Sequence, residues 1–162
     1  MGHTSETTIR RARRGDFKPI EAILRDCHLM YAAGERAGMD SYFDRVYFGD
    51  FLRTPRERFC FVAETDGEVV GVVLATQRRD LGWAFLDRVA VRADKRRMGI
   101  GHALNMAVIQ KFGEGGAKSI FTYTNPENGP SHAMLTKEGF TIGGGQNFLD
   151  TAVKLAGVPI PA

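Results

Sequence analysis

Asp66-Gly67 lies between two runs rich in β-branched and aromatic residues, Phe59 to Glu64 and Val69 to Gln77. A two-residue loop of this kind accepts positive φ at both positions at little cost, so it joins antiparallel strands in a tight hairpin. Leu81-Gly82 marks a second break, and Trp83 to Val91 reads as a third strand, apolar enough for burial on both faces. The three strands make a meander. After it the apolar period changes from two to about 3.6, because Ile100, Ala103, Leu104, Ala107 and Val108 fall on one face of a helix spanning Gly99 to Phe112. Gly113, Gly115 and Gly116 end that helix.

The flanks complete an alternating pattern. Thr7 to Ala12 predicts a first strand, and Asp16 is placed to cap a helix carrying Ile20, Ile23, Leu24 and Cys27, with Pro19 in its first turn. Asp40 to Leu52 reads as a less regular helical stretch interrupted by Gly49. Ser119 to Thr124 is a strand, followed by a helix with Pro130 at its start and Gly139 at its end. Phe140 to Ile142 and Phe148 to Leu155 are further extended segments, separated by Gly143-Gly144-Gly145. Meander followed by β-α-β-α-β predicts an α/β sheet of mixed direction, and 162 residues suit a single domain over 1–162 with a disordered lead-in over residues 1–6.

Composition narrows the class of function. A hydrophobic content of 43% and a charged content of 25% are those of ordinary globular chains. No apolar run approaches the roughly 20 residues that cross a bilayer, so a soluble cytoplasmic protein with no membrane partner is expected. Cys27 and Cys60 are isolated and stand near no histidine cluster, which points to neither a zinc site nor a disulfide framework, and no metal is expected. A net charge of +3 is too mild to demand a polyanionic partner, and no aromatic residues interleave with Lys95 to Arg97, which counts against nucleic acid.

The segment from Leu86 to Leu104 carries the chemistry. A strand ends at Val91, a basic turn with Lys95, Arg96 and Arg97 follows, and a helix opens at Met98-Gly99-Ile100-Gly101-His102. A helix start exposes unpaired backbone N–H groups and the positive end of the helix dipole, which together attract phosphate. Other phosphate motifs fail. A Walker loop needs Lys and Ser or Thr after its last glycine, where His102 and Ala103 stand; a dinucleotide fingerprint needs a small residue at Leu104.

Arg96-Arg97-Met98-Gly99-Ile100-Gly101 resembles the pyrophosphate signature of the GNAT superfamily of acyl-CoA-dependent N-acetyltransferases. Val89-Ala90-Val91 is similar to the strand end that pairs with the pantetheine arm, and Asn128, twelve residues before Phe140, to an asparagine that contacts CoA. Lys137-Glu138-Gly139-Phe140 resembles the family's closing helix end, and the element order agrees. The resemblance implies a three-layer α/β/α fold with a mixed, mostly antiparallel sheet of six to seven strands, splayed in the middle. It implies acetyl transfer from acetyl-CoA to a primary amine of a small molecule or peptide, with Arg96 to His102, Val89 to Val91, Asn128 and Ser131 holding CoA. Asp87, four positions before Val91, matches an acidic residue that serves some relatives as general base. At the position of the tyrosine that protonates the leaving thiolate stands Leu135, so Tyr123 on the preceding strand is the substitute candidate. Missing that tyrosine also leaves open a non-catalytic acyl-CoA-binding module. Substrate choice is expected in Tyr31 to Arg58, where Tyr31, Tyr42, Phe43, Tyr47, Phe48 and Phe51 accompany Glu35, Asp40, Asp44 and Asp50; ordinary packing explains the same residues as well. Many relatives form homodimers, and the apolar tail Val158 to Ala162 leaves room for one.

Overall fold

A computed structural model describes residues 5–27, 43, 45–124, 129–142 and 152–155. The chain runs through β1 (Thr7–Arg11), a 3-10 turn (Arg14–Asp16), α1 (Phe17–Asp26), α2 (Arg45–Arg53), β2 (Arg58–Thr65), β3 (Glu68–Arg78) and β4 (Trp83–Val91). A second 3-10 turn (Ala93–Lys95) leads to α3 (Ile100–Glu114), β5 (Ser119–Tyr123), α4 (Gly129–Lys137), β6 (Phe140–Ile142) and β7 (Ala152–Leu155). The seven strands form one sheet in the order β1-β2-β3-β4-β5-β7-β6, in which β4 and β5 are parallel and every other pair antiparallel.

The hairpin turn holds Asp66 at φ 52° and Gly67 at φ 81°, the two left-handed positions expected of it. Ser5, expected within a disordered lead-in, donates from its hydroxyl to Asp66 Oδ2 at 2.6 Å. Helix α2 continues unbroken through Gly49. Asp16 does not cap α1 with its side chain. It is buried instead, accepting from the Arg13 N–H and from both terminal nitrogens of Arg10, which also donates from Nε to Glu64. Burial is the largest influence on Asp16 and disfavours its carboxylate, but the hydrogen bonds and charges of Arg10 and Arg13 together outweigh it and hold its pKa below the usual range.

Two apolar layers enclose the sheet. On one face Phe59, Phe61, Val73, Ala75, Ala84, Leu86 and Ile120 meet Ile100, Leu104, Val108 and Phe112 of α3 and Leu135 of α4. On the other, Cys60, Val62, Val72, Leu74 and Ala90 meet Phe17, Ile20, Ile23 and Leu24 of α1 and Phe48 and Phe51 of α2. The expectation that β4 is buried on both faces holds only in part, since Trp83 and Asp87 are exposed.

Helix α3 crosses the sheet closely because Gly71 lies beneath it. A Cβ on Gly71 would stand 3.0 Å from Leu104 Cδ1 and 3.1 Å from Ile100 Cγ2. Gly71→Val should therefore lift the first turn of α3, lowering stability by about 1–3 kcal/mol by overpacking. Thermal melting of the variant beside the parent reads that loss.

Candidate functional site

The ladder between β4 and β5 runs from Trp83↔Ser119 to Leu86↔Thr122 and stops. Thr122 Oγ1 donates to the Leu86 carbonyl at 2.8 Å, closing the last rung, while among the described residues Arg88 to Val91 pair with β3 alone. A β-bulge lies at the same place. Leu74 pairs with Arg88 and Ala75 with Leu86, leaving Asp87 as the extra residue. Such a bulge reverses which residues face which side. Ala84 and Leu86 face α3 before it, and Val89 and Val91 do so after it. Val89, Ala90 and Val91 thus lie on the side of β4 where the β4–β5 ladder has ended.

Beyond Val91 the chain makes the basic turn and enters α3. Arg97 takes φ 63° and Gly99 φ 77°, and no side chain caps the helix. The Ala103 N–H bonds the Gly99 carbonyl, so the preceding N–H groups, at Ile100, Gly101 and His102, lie ahead of the helical ladder. A Cβ built on Gly99 meets nothing within 4 Å, so glycine is required there by φ and the space above it is free. Gly101 serves differently, since a Cβ would come 3.3 Å from Met134 Sδ of α4. The uncapped turn, the free space and the exposed cation of Arg97 fit a phosphate-bearing ligand. Met98 is 66% exposed beside them.

Arg96 is turned elsewhere. Its Nε donates to the Val91 carbonyl at 3.0 Å and its terminal nitrogen lies 3.5 Å from Cys27 Sγ and 3.6 Å from Asp26 Oδ2, at the C-terminal end of α1. His102, although mostly exposed, places Nδ1 3.0 Å from Glu138 Oε1, and Asn105 Nδ2 donates to Glu138 Oε2 at 3.0 Å. Glu138 is buried, and that burial raises its pKa against the two hydrogen bonds. Sequence reasoning missed this tie between the start of α3 and the end of α4; a glutamate inside the closing helix motif was its only signal.

Asp87 is exposed, yet enough protein surrounds it that desolvation is the largest influence on its acidity. The Thr76 hydroxyl donates to its Oδ2 at 2.7 Å, and Thr76 and Arg58 oppose the rise, leaving a pKa of about 6. Water reaches the carboxylate while the protein around it weakens its hydration. Thr76 was not anticipated as a partner. Leu135 is 4% exposed and packs into the core under α3. β5 ends at Tyr123. Ser131 sits half-buried in the first turn of α4, whereas Asn128 lies outside the described residues.

Among the residues expected to select a substrate, Phe43, Phe48 and Phe51 are buried and pack on α1, with Phe43 stacked on Phe17 at 5.4 Å. Packing, rather than an open aromatic cage, accounts for these three. Asp50 is held by Arg53 and by Arg58 at 3.7 Å. Tyr31, Glu35, Asp40, Tyr42 and Asp44 lie outside the described residues, as do the glycines 143–145, Phe148 and the tail 158–162. No described helix is long and apolar enough to cross a membrane.

A family model described as acetyltransferase (GNAT) family matches residues 18–140. No curated protein sequence matches. Among solved structures, the PaiA N-acetyltransferase of Thermoplasma acidophilum in complex with coenzyme A superimposes with a TM-score of 0.80 at 13% identity, covering 92% of this chain and 96% of that one. A ribosomal-protein-alanine N-acetyltransferase from Brucella melitensis gives 0.70 at 22% identity, covering 91% and 96%. A GNAT family acetyltransferase from Brucella melitensis in complex with acetyl-CoA gives 0.66 at 19%, covering 98% and 92%. At such identities the likeness concerns the fold.

Two substitutions probe the helix start. Gly99→Val imposes about 1–2 kcal/mol of left-handed strain, so CoA affinity should drop roughly five- to thirty-fold in calorimetric titration. Glu138→Ala strands the Asn105 amide and should cost about 1–3 kcal/mol, with Glu138→Gln milder because it keeps an acceptor. Because folding raises the Glu138 pKa, its contribution to stability is complete below its unfolded value and is lost as pH rises through the folded one. The melting temperature of Glu138→Gln should therefore gain on the parent as pH increases, and a gap independent of pH would contradict this.

Proposed function

The chain belongs to the GNAT acetyltransferase family, and on that premise we propose that it is an N-acetyltransferase carrying acetyl from acetyl-CoA to the primary amine of a small molecule or peptide. The observation that carries the reading is the conjunction of an open β4 edge from Asp87 to Val91 with an uncapped α3 start just beyond it. The main chain of Val89 to Val91 supplies strand-like partners for the pantetheine amides. The N–H groups from Met98 to His102 and the Arg97 cation receive the diphosphate, and Ser131 and Asn128 contribute from the start of α4. Arg96 braces the turn from its contact with α1 or releases it to add charge.

In this reading the acceptor amine attacks the thioester directly. Holding both reactants in line supplies up to roughly 7–11 kcal/mol of the barrier, so the protein works first as a template. Asp87 takes the ammonium proton, directly or through one water, and a pKa near 6 leaves it ionised at neutral pH. The departing thiolate has a conjugate acid of pKa about 8.5 and needs little help. Tyr123, where β5 ends beside the divergence, is the candidate donor of a proton to it. We place the enzyme in the cytoplasm as a single domain over 1–162, its cysteines free. A second reading, an acyl-CoA-binding module without turnover, is favoured by Leu135, whose side chain is spent on the core.

Thiol release from acetyl-CoA against a panel of amines decides between them, since CoA binding without release on any amine sinks the transferase. With one active amine, kcat/KM should climb as pH rises through about 6, where Asp87 loses its proton. Asp87→Asn should abolish that limb and cost roughly 10²- to 10⁴-fold in rate. Thr76→Val removes a donor to the ionised form, so the limb should move to higher pH, while Thr76→Ser should restore it.

A further inference from the structure

Arg58 begins β2 directly opposite Thr76 of β3, so the two side chains rise from the same face of the sheet. That face is the one covered by α1 and α2, since Cys60 and Val62 along β2 and Val72 and Leu74 along β3 pack there at the same alternation. Thr76 in turn donates to Asp87 Oδ2 at 2.7 Å. A row therefore crosses three strands, from Arg58 through Thr76 to Asp87. Its outer members stand on strands two spacings, about 9–10 Å, apart.

Helix α2 takes hold of the row at its Arg58 end. Asp50 Oδ2 lies 3.7 Å from a terminal nitrogen of Arg58, and the guanidinium stands 5.7 Å from the centre of the Phe51 ring. Arg53 binds the other oxygen of Asp50. Desolvation is the largest influence on Asp87 and the Thr76 hydroxyl the next; Arg58 follows as the one charged group acting on it among the described residues. Other charges on that face are engaged or lie beyond the bulge. Arg78, next on β3, is held by Asp80 at 2.7 Å and feels Glu57, while Arg88 turns to that face as Ala90 does. A cation between two carboxylates serves each less than it would serve one alone.

We infer that Arg58 is a positioning residue for acetyl transfer: its charge is divided between Asp50 of α2 and Asp87 of β4, so α2 governs how firmly the base holds its proton. The inference rests on the reading of Asp87 as the base. Helix α2 lies within the segment expected to choose the acceptor, which gives that choice a route to the reaction.

The experiment follows Asp87 twice, by a carboxyl-carbon NMR titration assigned with Asp87→Asn, and by the pH profile of kcat/KM with one active amine. Arg58→Met should raise both midpoints by roughly 0.3–1 pH unit, and Arg58→Lys, which keeps the charge, should restore most of the difference. Asp50→Asn should lower both midpoints, and should have no effect once Arg58 is replaced by Met. Salt at about 1 M should erase most of the gap between the parent and Arg58→Met, because charges then act over only about 3 Å. The KM of acetyl-CoA should stay the same throughout. A carboxyl midpoint that moves in these directions while kcat/KM does not follow supports Arg58 and overturns Asp87 as the base. Midpoints unmoved in both Arg58→Met and Asp50→Asn overturn the inference and leave acetyl transfer standing. So does an Asp50→Asn shift that persists beside Arg58→Met, since Asp50 then acts directly. Should Arg58→Met fail to fold, Asp50→Asn carries the test, and a midpoint that stays or rises overturns the inference.

Discussion

The molecule is organised around the last rung between β4 and β5, where Thr122 donates to the Leu86 carbonyl and the parallel ladder ends. Backbone N–H and C=O groups in the middle of a sheet are ordinarily all paired, because an orphaned pair costs more than a bond gains. Four residues of β4, Arg88 to Val91, continue along β3 alone among the described residues. What compensates for this is packing on both faces: Ala90 is buried against the α1 side, and Val89 and Val91 against α3. The end of β4 is thus held from above and below rather than from the side.

The bulge at Asp87 belongs to the same construction. An unbulged β4 would continue the alternation of Ala84 and Leu86, sending Arg88 and Ala90 toward α3 and Val89 and Val91 away from it. With one residue added, the apolar pattern is correct on both halves of the strand and the spare residue is a carboxylate bonded to Thr76. Meanwhile Gly71 lets α3 settle onto β3, which brings its first turn level with the end of β4. Sheet edge, carboxylate and helix start are three results of one local arrangement.

Much of this was legible in the residues. The Asp66-Gly67 hairpin, the bounds of Trp83 to Val91 and the glycine-punctuated start of α3 were read correctly because each depends on local chemistry: left-handed turn positions, β-branched runs and a change of period. What sequence could not supply were relations between distant residues. Asp16 looks like a helix cap until Arg10, itself held by Glu64 across the β1–β2 pair, claims it. Arg96 looks like a phosphate ligand, yet the geometry assigns it to Val91 and the end of α1. The aromatic residues of α2 looked equally like a cage and a core, and contact with α1 decides for the core. Thr76 as the partner of Asp87 follows from a register offset that no periodicity reveals.

Glu138 sets up a relation of another kind. Its carboxylate grips His102 in the first turn of α3 and Asn105 in the next, while its own N–H bonds Met134 at the close of α4, two residues before β6 begins. A change at the β6 end of the sheet therefore reaches, through two side-chain bonds, the turn that opens α3.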